Sequence, residues 1–571
     1  MKEYMFSDLS LLAEPTDNIA AKWKNDRWKA VEYTTGKCSG YMLVAPEGTS
    51  PGAVELKMGL SGRYRIYVCI PRFRQDNYIY LKLSDDRTKS GIKAMDKNRP
   101  NHWLWADEEY LEEIYWKTAD LTGQSIIIEK PDTIINTVSG IAWIRCVPEM
   151  ADEKSVENKF VQYHMDEDCF AEDSFGCDDD YLIRLAMMKN TNADFVSYEV
   201  SFDYDMIKNP DSGHLWKMDE RWDRGQYEAK EKLDMIYKRA VEYAHENGIK
   251  LYAANRMQQS GFYMPYTRYS WNKGFSCENS GYYLKTRNGT TVNILSYAFG
   301  EVQEYMIKNL TDVLKYGFDG LTLCYNRGVT IGFEQPVIDS FKALYPDVDP
   351  FVLPMTDARL NGVMCGFMNE FMEKLRKAVD ETTGRHIKIN VVTDYSLKSS
   401  KHYGLDVEYW AKNGLVDSIS QADIETFEVL DGCMDDNNPD IIDLEKYTKM
   451  LEERPVIRRV YGFDLEKILR CIPDYLKLGE RYGVEIYNTM PNIRNCSSTE
   501  EFYSMIETMK AHGVKKFLSW NASHLSFLLP EWYITSRAGN EIEEYMCERK
   551  YHRVLSLDGI DIGQFNPNWR G

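Results

Sequence analysis

The chain has 571 residues, 43% of them hydrophobic and 28% charged, which is too long for one ordinary core and predicts two or three domains. Its formal charge of -20 repels phosphates, so no nucleic acid is expected as partner. No apolar run reaches the roughly 18 residues of a bilayer span, so no membrane partner is expected.

The first ten residues carry acids, and no apolar stretch of signal-peptide length follows them. The 12 cysteines include no CxxC pair. Free thiols in a reducing, cytoplasmic compartment are therefore expected, although a removed signal peptide would leave the same sequence.

Residues 1–150 consist of short alternating runs separated by turn residues. SGRYRIYVCI, NYIYLKLSDD, QSIIIEK and SGIAWIRCVP are examples. They predict an antiparallel β-sandwich acting as an accessory domain. Trp103, Trp105 and Trp116 fall between runs. They read first as rings packing the sandwich or its interface, and second as a carbohydrate-contacting patch. Residues 151–190, rich in Asp and Glu, read as a linker or surface excursion.

From 191 to 571 buried strand-like runs alternate with amphipathic helices. The predicted strands are ADFVSYEVSF, GIKLYAANR, GFDGLTL, HIKINVVTD, LVDSISQAD, PVIRRVYG, VEIYNTM and VKKFLSW. Helices are predicted near 227–247, 300–316, 364–381, 403–412, 441–451, 465–481 and 499–512, the second striped by Val302, Tyr305, Met306, Leu310 and Val313 and closed by Gly317. The alternation predicts an α/β fold, a closed (β/α)₈ TIM barrel behind the sandwich. The first strand leads into SFDYDM rather than a glycine-rich phosphate turn, which removes support for a nucleotide-binding sheet. The segment after the second strand, with GFYMPYTRYSWNKGF, is aromatic and glycine-rich as a loop over a cleft would be.

A barrel keeps its chemistry at the C-terminal strand ends. Read in order, those ends offer Glu199, Asp203 and Asp205; Asn255 and Arg256; Tyr325, Asn326 and Arg327; Asp394; Asp423 and Glu425; Tyr461 and Asp464; Asn488; then Trp520, Asn521 and His524. Carboxylates, amides and a stacking ring together suit a carbohydrate substrate. Asp394 and Asp423 are the expected catalytic pair, because each ends a buried strand and the two strands are neighbours. Asp203, Arg256, Tyr325, Asn326, Arg327, Glu425, Asn488, Trp520, Asn521 and His524 are the expected substrate-binding groups. Glu334, ahead of Pro336, reads as a helix N-terminal residue. No HExxH, paired-His spacing or GxSxG elbow occurs, so neither a metal nor a cofactor is expected. Cys324 reads as a buried structural thiol.

The block from DGLTLCYNRG through GFEQPVIDSFKALYPDVDPF to FMNEFMEKLRKAV resembles the glycoside-hydrolase-like family 10 pattern. Asp319-Gly320, Gly332-Phe333, Pro336-Val337, Phe341 and Leu375-Arg376 carry the match. ADLTGQSIIIE and GIAWIRCVPEM likewise resemble the last strands of sandwiches that precede such barrels. The resemblance implies a (β/α)₈ glycosidase. One departure is Cys324, where that pattern often has an acid, so that acid's role does not carry over. By fold-level analogy with retaining α-glycosidase barrels, Asp394 after the fourth predicted strand takes the nucleophile's slot and Asp423 the acid/base's. The function expected is hydrolysis of a glycosidic bond by two carboxylates. The alternatives are a non-catalytic carbohydrate-binding protein on a degenerate barrel, or a barrel isomerase or lyase. Nothing in the sequence sets the oligomeric state.

Overall fold

The computed structural model describes residues 2–22, 24–46, 49–72, 78–93, 110–131, 138–150, 158–165, 182–189, 191–202, 205–206, 233–257, 275–289, 291–326, 330–354, 356–422, 465–491, 499–520 and 550–558. Two sheets form the first layer pair, antiparallel except where Ile19–Ala20 pairs in parallel with Trp28–Lys29 at the side of the larger one. The smaller runs in the order Ala13–Glu14, Val54–Leu56, Ile126–Glu129, Tyr78–Leu83, Ser90–Lys93. The larger runs Tyr4–Phe6, Trp143–Pro148, Arg63–Arg72, Tyr110–Asp120, Lys550–Asp558, Trp28–Thr35, Ser39–Ala45, Ser139–Ile141. Alternating side chains such as Ile66, Val68 and Ile70 point to one face, where they meet Ile126, Ile128, Leu56 and Trp28 in a dry core. Trp116 belongs to that core, with its Nε1 donating to Ser90 Oγ at 2.8 Å. It packs the sandwich, while Trp103 and Trp105 lie outside the described residues.

The strand Lys550–Asp558 comes from the far end of the chain. It pairs antiparallel with Tyr110–Glu113 on one side and with Glu32–Thr35 on the other. The sandwich predicted as 1–150 is therefore completed by a segment that the sequence reading assigned to the barrel. On this sheet's second face Val554 and Leu557 pack with Val31, Tyr33 and Trp143. There, too, Glu113 is fully buried. Its carboxylate accepts from Trp143 Nε1 at 2.7 Å, Arg145 Nε and Nη2 at 3.0 and 2.7 Å, and Lys37 Nζ at 2.9 Å. Burial alone would raise the carboxyl, but the hydrogen bonds from Arg145, Trp143 and Lys37 hold it down at about 2.

The second body is a closed barrel of eight parallel strands: β1 (Val161–Met165), β2 (Ala193–Glu199), β3 (Leu251–Arg256), β4 (Gly320–Cys324), β5 (Lys388–Thr393), β6 (Ser418–Gln421), β7 (Glu485–Thr489) and β8 (Phe517–Ser519). β1 closes the ring by pairing with β8, Val161 opposite Phe517. The predicted barrel is present, but its count is shifted by one. β1 lies inside the acidic stretch read as a linker, its five residues VQYHM too short to stand out there. The predicted sixth strand, PVIRRVYG, lies outside the described residues, and β6 pairs directly with β7. The predicted fourth strand is thus the fifth of the ring. The fourth ring strand ends in Cys324, which removes the analogy that gave Asp394 the fourth-strand slot.

The helices α1 (Ile183–Met187), α2 (Leu233–Glu246), α3 (Gly300–Val313), α4 (Gln335–Leu344), α5 (Ala358–Thr383), α6 (Leu397–His402), α7 (Val407–Lys412), α8 (Leu465–Tyr482) and α9 (Thr499–Ala511) lie along the chain between the strands. α3 buries Val302, Met306, Leu310 and Val313, and Gly317 ends the turn after it at φ 96°. The single helix predicted over 403–412 is instead α6 and α7, separated where Gly404 takes φ 80°. The bottom of the barrel is fastened by acids at strand entrances. Asp319 Oδ2 accepts from Leu251 N at 2.8 Å, and Asp417 Oδ2 from Ile389 N at 2.9 Å. No helix among the described residues is long and apolar enough to cross a membrane.

Candidate functional site

Strand alternation decides which side chains enter the lumen. Phe195, Tyr252, Cys324, Val392, Ala422, Tyr487 and Leu518 make an inner apolar cluster with Trp520 against it. Between its lower and upper members lies a polar belt. Gln162 Nε2 donates to Ser197 Oγ at 3.0 Å, Ser197 Oγ and Thr322 Oγ1 share a hydrogen bond at 2.8 Å, and Ser420 Oγ reaches both Gln162 Oε1 and Asn390 Oδ1. Two residues further along β1 and β2 stand His164 and Glu199, on the same faces as Gln162 and Ser197. The belt therefore underlies and spaces the groups at the mouth.

At that mouth Glu199 is 1% exposed. Arg256 Nε on β3 stands 2.8 Å from Glu199 Oε1. Its N–H is not aimed along that vector, since Oε1 makes no aligned hydrogen bond, so the contact is an ion pair. On the other side His164 Nε2 lies 3.7 Å from Glu199 Oε2. The His164 ring stacks on Trp520, with centroids 4.0 Å apart and planes 2° from parallel. A buried carboxylate thus sits between a guanidinium and an imidazole, with an indole beside them. Burying such a charge is tolerable only with a partner of this kind.

The other anticipated residues are dispersed. Asp394, 7% exposed, accepts from Tyr395 N at 2.6 Å and is surrounded by Ser399 and His402 of α6 and Lys467 of α8. Burial raises its carboxyl above the ordinary range, against the lowering effect of those neighbours. Tyr325 is turned into the helix layer, its hydroxyl 3.4 Å from Met372 Sδ of α5 and its ring against Trp410 of α7. Asn488 donates to Gln421 Oε1 at 2.5 Å, and Gln421 in turn to Tyr395 O. Asn326 is buried at the exit of β4 with its Oδ1 unbonded. Asp203, Arg327, Asp423, Glu425, Asn521 and His524 lie outside the described residues. Of the substrate-binding set, Arg256 and Trp520 are brought together. Glu199, one of several acids offered by its strand, and His164, on the overlooked β1, complete the cluster. Parity would have picked Glu199, since Phe195, Ser197 and Glu199 share a face.

The block that carries the family resemblance has packing reasons of its own. A Cβ on Gly320 would stand 2.8 Å from Lys388 O, and one on Gly332 would stand 2.3 Å from Lys285 O. Glu334 occupies the N-cap of α4 with Pro336 in the first turn, as expected. Its buried carboxylate accepts from Lys285 N at 2.8 Å and Gly332 N at 3.0 Å. Among the described residues no group of three His, Cys, Asp or Glu could hold a metal ion.

No protein-family model matches the chain, and no curated protein matches it. Similar solved structures include an α-galactosidase from Thermus thermophilus in complex with stachyose, 12% identical over 90% of this chain and 99% of its own, TM-score 0.35. The glycoside hydrolase domain of PelA from Pseudomonas aeruginosa is 12% identical over 64% and 96%, TM-score 0.29. A GH26-CBM35 β-(1,4)-mannanase from Podospora anserina is 10% identical over 86% of each chain, TM-score 0.26. Scores this low describe shape in outline, so no residue role is carried over from them.

Proposed function

We propose that the chain is a glycoside hydrolase working at the mouth of its barrel, with Glu199 as the carboxylate that meets the anomeric centre. The observation that carries this reading is the buried cluster of Glu199, Arg256, His164 and Trp520 at the C-terminal ends of β2, β3, β1 and β8. A carboxylate held by arginine suits nucleophilic attack or charge stabilisation better than proton donation. Asp423, which lies outside the described residues, keeps the proton donor's role on its place in the sequence alone. Asp394, enclosed by α6 and α8, is given the role of holding the exit of β5. The finer likeness to the glycoside-hydrolase-like family 10 pattern belongs to this same proposal. So does a reducing compartment, which the free thiols of Cys38, Cys69, Cys146, Cys324, Cys365 and Cys471 support.

A panel of chromogenic α- and β-glycosides followed by analysis of the product anomer tests the proposal. Turnover with one defined anomer supports it. A second reading, a carbohydrate-binding protein without turnover, is favoured by Cys324 at the end of β4 and by the enclosure of Asp394. Saturable sugar binding with every glycoside left intact would establish that reading instead.

A further inference from the structure

The chain holds four Asn-Gly pairs, at 247–248, 288–289, 361–362 and 413–414. Such a pair carries a reaction of its own. The backbone nitrogen of the glycine can close a five-membered ring on the asparagine Cγ, because the attack is intramolecular and no Cβ on the glycine crowds it. The fold treats the four pairs differently. Asn247 follows α2 and Asn413 follows α7, and their side-chain amides donate one turn back to Tyr243 O and Tyr409 O, both at 2.8 Å. Their backbone N–H groups bond the same two carbonyls at 3.2 and 3.0 Å. Asn361 is buried in α5, where its N–H donates to Asp357 O at 3.0 Å. These three are held by helical turns, which must open before the ring can close.

Asn288 and Gly289 stand elsewhere, exposed at the tip of the hairpin formed by Tyr283–Lys285 and Thr291–Leu295. Gly289 takes φ 85°, and its N–H donates to Thr286 O at 3.0 Å across the turn. Thr286 Oγ1 donates to Asn288 Oδ1, the oxygen on which negative charge gathers when Cγ is attacked. Exposure supplies the water that the second step consumes.

We propose that Asn288 is a site of self-modification, converted by deamidation through Gly289. The Gly289 nitrogen gives its proton to solvent base and bonds to Asn288 Cγ. The bond from Cγ to Nδ2 breaks, and Nδ2 takes up a proton and leaves as ammonia. Water then adds to either carbonyl of the succinimide and opens it to an aspartyl or an isoaspartyl residue at position 288. One water is consumed, one ammonia is released, and nothing is oxidised or reduced. The product carries a new negative charge, and its isoaspartyl form lengthens the main chain by one carbon at the turn. The same hairpin supports the start of α4, since Lys285 N donates to Glu334 Oε1 at 2.8 Å and Lys285 O accepts from Phe333 N at 2.8 Å.

The test incubates the full chain at neutral and mildly alkaline pH, once folded and once in guanidinium chloride, and maps its peptides by mass spectrometry. Conversion is read as a gain of about 1 Da in the peptide that carries each pair. In the folded chain position 288 should convert at least about 10-fold faster than 247, 361 or 413, and faster still at alkaline pH, where the attacking nitrogen loses its proton more readily. In the denatured chain the four should converge to within about 3-fold, because each asparagine is followed by glycine. Asn288→Gln, whose longer side chain would have to close a larger ring, should leave its peptide unconverted. A folded chain in which position 288 stays intact while the denatured chain converts overturns the inference. So does a folded chain in which any of the three helical pairs converts as fast as 288.

Discussion

Ending the chain at residue 549 removes the strand Lys550–Asp558 from the middle of the larger sheet. Four residue pairs with Tyr110–Glu113 and four with Glu32–Thr35 are lost. An antiparallel ladder averages about one hydrogen bond per pair, so roughly eight bonds disappear. At a net contribution of about 0.5–1.5 kcal/mol each, the loss is about 4–12 kcal/mol. Val554 and Leu557 also leave the cluster around Tyr33 and Trp143. Since a whole domain is stable by only about 5–15 kcal/mol, the sandwich should melt more than about 15 °C lower or fail to fold. Differential scanning calorimetry with limited proteolysis would follow the sandwich transition separately from the barrel's. A truncated chain whose sandwich melts within about 3 °C of the full chain would refute the inserted strand. So would a fragment of residues 1–150 that folds cooperatively by itself.

Two other substitutions give opposite pH signatures. Glu113, held at about 2 against an ordinary 4.5, contributes stability that is present above pH 4.5 and is lost as pH falls toward 2. Glu113→Gln should therefore cost about 3 kcal/mol in urea melts at pH 7, and the deficit should shrink at pH 3. An equal deficit at both pH values would contradict the ion-paired cluster. Asp394 is raised instead, so its charged form burdens the fold once pH exceeds its folded pKa. Asp394→Asn should raise the melting temperature at pH 7, with the gain fading below pH 3.8, and should leave turnover within a few-fold. A loss of turnover by orders of magnitude would return Asp394 to the reacting pair.

How far the sequence could be read depended on the length and texture of each element. Runs such as KINVVT and LYAANR were legible as buried strands because their apolar residues are continuous, and α3 because its stripe recurs at helical spacing. β1 was not, since VQYHM offers five residues among acids and has no hydrophobic pattern of its own until β2 and β8 enclose it. Lys550–Asp558 is a strand only because Tyr110–Asp120 and Trp28–Thr35 supply partners more than 400 positions away, information that no local pattern holds. At the site, Arg256 and Trp520 could be read from their place at strand ends. Tyr325 shares that place but follows inward-facing Cys324, so alternation sends it to the helices. Glu199 was hidden among neighbouring acids and His164 by the missing strand.

The central claim is that Glu199 meets the reacting sugar, and Glu199→Gln tests it most directly because it keeps size and shape while removing the charge. With the best glycoside from the panel, kcat should fall at least about 1,000-fold while sugar affinity measured by titration stays within about 10-fold and the fold is retained. Turnover near that of the parent would remove Glu199 from the chemistry.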